Sequence, residues 1–171
     1  MKLTDMLPLE EWIAFEKDIH ERSGLDVNVF DTEGIRISSY KQWVNKLCPV
    51  IKAHDKGQAF ICAVAHMNIA AQAKLEKTAV IEECDAGFLK LVVPIFTDEE
   101  FIGSVGACGL LLDEGEVDSF MVNRTIEISE EEIESLSSGI AKMTTEDVQM
   151  LADYIQKQID RIIKAFHQKR V

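Results

Sequence analysis

The chain of 171 residues contains no apolar run long enough to cross a bilayer, which takes about eighteen residues or more as a helix. Positive charge is scarce as well. Eighteen Lys and Arg stand against thirty Asp and Glu, for a net charge of −12. Nucleic acid and anionic membrane surfaces both demand a positive patch, so neither is expected as a partner. The opening residues, Met1-Lys2-Leu3-Thr4-Asp5, lack the basic and then apolar order of a secretory leader, and the chain is expected to be cytoplasmic. Cysteine occurs four times but never as Cys-x-x-Cys: Cys48, Cys62, Cys84 and Cys108 lie 14, 22 and 24 residues apart. In a cytoplasmic chain such cysteines are thiols or ligands rather than disulfides. No internal repeat and no low-complexity segment occurs.

What is present suits a single domain that buries its own core without staples. Pro8-Leu9-Glu10-Glu11-Trp12 opens a helix, with acidic residues at the positive end of its dipole and Trp12, Phe15 and Ile19 on one face. Gly24 is its expected stop. Leu25 to Phe30 alternates like a half-buried strand, Asp31 to Gly34 reads as a turn, and Ile35 to Ser38 as the returning strand of a hairpin. From Trp43 to about Lys77 the pattern is helical, interrupted at Asp55-Lys56-Gly57. Three strands follow, over Thr78 to Glu83, Leu89 to Phe96 and Phe101 to Leu112. A short helix is expected after Ser129. A long one starts at Thr144 or Thr145 and runs to about Gln168. Its apolar residues Val148, Ala152, Ile155, Ile159, Ile162 and Phe166 form a heptad seam, which predicts either a homodimer or packing on the protein's own sheet. The element order predicts an α+β fold, a PAS/GAF-like antiparallel sheet of about five strands with covering helices. Residues 1–143 would form the main domain with its N-terminal helix. Residues 144–171 would form a signalling or dimerisation helix.

The middle of the chain carries a more specific pattern. Cys48 stands near the start of a helix, Cys62 follows, and then the alanines Ala70-Ala71. After them come the turn Cys84-Asp85-Ala86-Gly87-Phe88, the strand Val93-Pro94-Ile95 and the pair Ile102-Gly103. From about Leu25 to Leu112 this resembles the PocR-type sensory domain. That resemblance implies a PAS-like variant fold that senses small organic molecules, usually fused to kinase, DNA-binding or chemotaxis modules. Two positions depart from the pattern: Asp85 replaces a frequent histidine, and Cys108-Gly109 stands where Gly-Gln is common. No output module is present in the chain, so a signalling partner protein, or a larger receptor, is expected.

The chemistry-bearing residues leave three readings open. Cys48, Cys62 and Cys84, with Cys108 as a fourth, are soft ligands suited to zinc or an iron–sulfur cluster, and equally suited to be small buried apolar side chains. Cys48-Pro49 with His54 or His66 as axial ligand would suit haem, or would simply open a helix. Cys84 is the candidate nucleophile, but Glu82, Glu83 and Asp85 beside it raise a thiol pKa and argue against an enzyme. A ligand pocket between sheet and helices would draw on Phe88, Leu91 and Val105 from the strands, Phe60 and Val64 from the helix, Tyr40 and Trp43 as its rim, and Cys84 at the turn. Each of these is also a good core residue. The expected function is a non-enzymatic sensor of a small organic ligand, with a cysteine-bound redox or gas sensor as the alternative.

Overall fold

The structure, a computed structural model, describes residues 1–170. Alternation builds its central sheet. The strands are β1 (Asp26–Phe30), β2 (Val80–Glu83), β3 (Leu89–Thr97) and β4 (Glu100–Cys108). They pair antiparallel in the order β1-β4-β3-β2. The β3–β4 turn places Asp98 and Glu99 at φ 48° and 66°, the two left-handed residues of a tight hairpin. The β2–β3 turn is closed by the Cys84 N–H donating to the Phe88 carbonyl at 2.9 Å and the Gly87 N–H donating to the Cys84 carbonyl at 2.8 Å. Gly87 sits at φ 91°, and a Cβ there would run into the Glu116 carbonyl oxygen, so this turn needs glycine.

The sheet has four strands rather than five, because Ile35 to Ser38 does not return as a strand. The turn itself forms: the Asp31 carboxylate accepts the N–H groups of Glu33 and Ile35, and Arg36 makes a single bridge to Phe30. The Ser38 hydroxyl then donates to Glu16 at 2.7 Å. The other Glu16 oxygen accepts the Val29 N–H at 2.8 Å, so this buried carboxylate ties helix, strand and loop together. Burial raises its pKa more than these hydrogen bonds lower it.

The helices divide between the two faces of the sheet. In chain order they are α1 (Leu3–Met6), α2 (Leu9–Ser23), α3 (Leu47–Ala53), α4 (Asp55–Gly57) and α5 (Val64–Glu76). Then follow α6 (Ser119–Ile126), α7 (Glu130–Leu136) and α8 (Thr145–Lys169). On one face Val27, Val29, Leu91, Val93, Val105 and Ala107 are wholly buried in a core shared with Trp12 and Ile19 of α2 and with the apolar side of α8. Removing that much apolar surface from water is the main stabilising term, about 25 cal/mol per Å². The Trp12 indole meets its polar requirement by donating to the Leu3 carbonyl at 3.0 Å.

The heptad seam of α8 belongs to this same core. Val148, Ala152, Ile155 and Ile159 are buried there, and Ile162 and Phe166 pack against it partly covered. The seam is thus filled by the chain's own sheet. Val171, the last residue of the expected terminal segment, lies outside the described residues. The Thr144 hydroxyl caps α8 by accepting the Asp147 N–H at 3.1 Å.

Several boundaries move. The central helical stretch begins at Leu47 rather than Trp43, where the Asn45 side-chain carbonyl accepts the N–H groups of Leu47 and Cys48. The expected interruption at Asp55-Lys56-Gly57 falls one residue earlier, where the extended backbone of His54 separates α3 from α4, and α4 then runs through a π-helical segment, Gln58–Ala63, straight into α5. The third long strand stops at Cys108. Leu111–Leu112 forms a separate short strand, β5, which pairs in parallel with β6 (Lys142–Met143). Among the described residues no helix is long and apolar enough to cross a membrane.

Candidate functional site

Period-two alternation that buries the odd-numbered β1 residues against α2 and α8 turns the even-numbered ones to the opposite face. There the register aligns Asp26, Cys108 and Lys90 in one row across β1, β4 and β3, and Asn28, Gly106 and Val92 in the next. Asp26, Asn28 and Lys90 are all buried, although their spacing alone reads as a solvated strand face. They are covered by α3, the π-helical segment and α5, with the loop that follows β1 closing one side. Between these layers lies a cavity of about 330 Å³. At Gly106 a Cβ would stand 2.8 Å from the Phe30 ring, so glycine keeps the floor open there.

The structure brings all four cysteines to this one cavity. Cys48 comes from the first turn of α3, Cys62 from the π-helical segment, Cys84 from the β2–β3 turn and Cys108 from the end of β4. None is in a disulfide. Asn45 fixes the Cys48 corner, donating from Nδ2 to Cys48 Sγ at 3.1 Å and to the Gly109 carbonyl at 2.7 Å. Burial pushes the Cys48 thiol up strongly, with the neighbouring sulfurs adding to it. Burial likewise raises Cys62, and it pushes Cys84 up to about 11. The carboxylates of Glu82, Glu83 and Asp85 are exposed and are not the cause. A thiol held protonated is a poor nucleophile at neutral pH.

Convergence on one cavity does not make a metal centre. Among the described residues no three Cys, His, Asp or Glu side chains are placed to hold one metal ion. The thiols as arranged therefore do not fit a four-ligand zinc or iron–sulfur site. His54 stands apart from the cavity and accepts the Lys56 N–H through Nδ1 at 3.2 Å. His66 does line the cavity, as do Trp43 and Phe88.

Five of the pocket candidates lie elsewhere. Leu91 and Val105 belong to the core on the other face of the sheet. Phe60 and Val64 point outward, 61% and 40% exposed, because the wide π-helical turn directs Gln58, Ile61 and Cys62 inward instead. Tyr40 contributes its backbone carbonyl, which accepts from Asn28 Nδ2 at 2.8 Å and so anchors the loop rather than the pocket.

Apart from His66, the polar lining is the part that sequence reasoning missed. Lys41 forms an ion pair with Asp26. His66 stacks on Phe30 with ring centroids 3.7 Å apart. Both His66 ring nitrogens and the Gln58 Oε1 are buried without a hydrogen-bond partner. Burial, and then the ammonium groups of Lys90 and Lys52, lower the His66 pKa to about 3, so its ring is neutral. Lys52 is itself lowered, by burial first. A mostly apolar chamber with a few convergent polar groups has the composition that small-molecule pockets in general share. The only available signal was the polar identity of alternate strand residues, which solvent exposure would explain equally well.

Comparisons with curated proteins and with solved structures each return no match. The family model described as "Sensory domain found in PocR" matches residues 5–167, which takes in both the cavity and the back-face helices. The chain belongs to the PocR sensory-domain family.

Proposed function

We propose that this domain is a non-enzymatic sensor that binds a small organic ligand in the cavity between the sheet and α3, the π-helical segment and α5. The observation that carries the reading is the buried and unpartnered state of His66 and Gln58 inside a chamber of about 330 Å³. Groups of that kind cost about 1–3 kcal/mol each when left unpaired, and a bound ligand recovers that cost.

The sheet is the natural transmitter. Lys90 and Cys108 face the cavity, while their strand neighbours Leu91 and Ala107 pack in the core shared with α8. A ligand that favours one packing of β3 and β4 thereby biases the position of α8, and the output passes through that helix to a partner protein. The raised thiol pKa values at Cys48, Cys62 and Cys84 support binding rather than covalent catalysis.

A thermal-shift screen of small organic metabolites tests this. At least one compound is expected to raise the melting temperature of the wild-type protein and to leave Cys62→Trp, whose indole fills the chamber, unmoved. Stabilisation that is undiminished in Cys62→Trp, or no stabilising compound at all, contradicts the assignment.

A further inference from the structure

The charge around the cavity runs against the charge of the chain. The protein carries a net −12, yet Arg36, Lys41, Lys52 and Lys90 line this chamber against only Asp26 and Glu33. Lys41 is answered by Asp26. Among the described residues, Lys90, Lys52 and Arg36 have no carboxylate within ion-pair distance.

Lys90 is the most telling of these. It lies mid-sheet with only 8% of its surface exposed. Its Nζ stands 5.3 Å from the centre of the Phe30 ring. Glu82 is its partner in the β2–β3 register, but that carboxylate is exposed and makes no ion pair with it. A buried ammonium without a counter-charge is costly, and an apolar side chain of similar length would be more stable here. His66 beside it is buried with both ring nitrogens unpartnered. Two ammonium groups and a neutral imidazole N–H around one empty volume lack an anionic acceptor.

We propose that the cavity binds a small organic carboxylate, with its carboxylate group between the ammonium groups of Lys90 and Lys52 and within reach of a His66 N–H. This rests on the small-molecule reading above and specifies its ligand class. The apolar body of the ligand lies against Ile51, Ile61 and Phe88. The mostly apolar wall suits a ligand with an apolar body and a compact anionic group.

The test uses acids and amides of matched shape: benzoate with benzamide, butyrate with butyramide, and succinate with succinamide. Each is titrated into the whole protein by calorimetry and by thermal shift. At least one acid is expected to bind at least about 10-fold more tightly than its amide. Lys90→Met and Lys52→Met are each expected to remove that preference. Lys90→Met is also expected to melt at a higher temperature than the wild type in the absence of ligand. An amide that binds as well as its acid, or a preference that survives in both variants, overturns the carboxylate assignment and leaves the sensor reading standing. If neither acid nor amide of any pair binds, the carboxylate assignment fails. If a broad screen of neutral metabolites also fails, the sensor reading falls with it.

Discussion

His66 stacks on Phe30 with ring centroids 3.7 Å apart, and neither of its ring nitrogens has a hydrogen-bond partner among the described residues. Phe30 comes from the even-numbered face of β1, which also carries Asp26 and Asn28. His66 comes from α5, in the turn that follows the π-helical segment. The contact thus joins the sheet to the helical cover at the cavity, and it leaves a hydrogen-bonding ring turned toward unfilled space. Gly34 closes over it, since a Cβ there would lie 3.5 Å from the imidazole.

The protonation of His66 should be visible in stability. Its folded pKa, about 3, lies below the value of about 6.5 expected in the unfolded chain. Between those values the unfolded chain binds the extra proton, so folding stability falls as pH drops through this window. The slope from one such group is at most about 1.4 kcal/mol per pH unit. Glu16 acts in the opposite sense: its raised pKa contributes stability that is present at low pH and lost as pH rises. Comparison with His66→Gln isolates the histidine. Urea melts from pH 6.5 down to pH 4 should show a shallower acid loss in that variant. An unchanged slope counts against a buried neutral His66.

The thiols should be slow. With Cys84 pushed up to about 11 by burial, iodoacetamide at pH 7.5 should modify it at least about 10-fold more slowly than a free thiol. Because burial rather than the exposed carboxylates sets this value, the combined change Glu82→Gln, Glu83→Gln and Asp85→Asn should leave the rate within about 2-fold. Mass spectrometry of timed digests measures both rates. A large acceleration in the triple variant would restore the charge-based explanation.

The two faces of the sheet should respond differently to truncation. Leu91 is wholly buried in the core shared with α2 and α8, and Leu91→Ala should cost about 2–5 kcal/mol by chemical denaturation. Cys108→Ala, one row away on the cavity side, deletes a single sulfur from a wall that is already open, and should cost less than about 1 kcal/mol. Equal costs at the two positions contradict the sidedness of β3 and β4.

The helices and strands were legible because their apolar periods are strong: Trp12, Phe15 and Ile19 on α2, and the alternation in β1, appear where the pattern places them. The facing of the strands was not legible. Alternation states that two faces differ, but not which one meets water, and here Asp26 and Asn28 on the polar face of β1 are buried as well as Val27 and Val29 on the apolar one. Leu91 and Val105 were therefore assigned to a pocket they back, while Asp26, Asn28 and Lys90 were not named for it. The returning hairpin strand was lost to a contact that sequence distance hides, the Ser38 hydroxyl on Glu16, twenty-two residues away. The meeting of four cysteines from four separate elements was equally hidden, because no spacing rule connects them.

The central claim is that a ligand enters the cavity and that the sheet carries its effect to α8. Hydrogen–deuterium exchange of the whole protein, with and without the most stabilising compound, tests both halves at once. The account predicts slower exchange in residues 41–66 and 84–90, together with altered exchange across residues 148–159. Protection confined to another part of the molecule, or unchanged exchange around Cys48, Cys62 and Cys84, would contradict it.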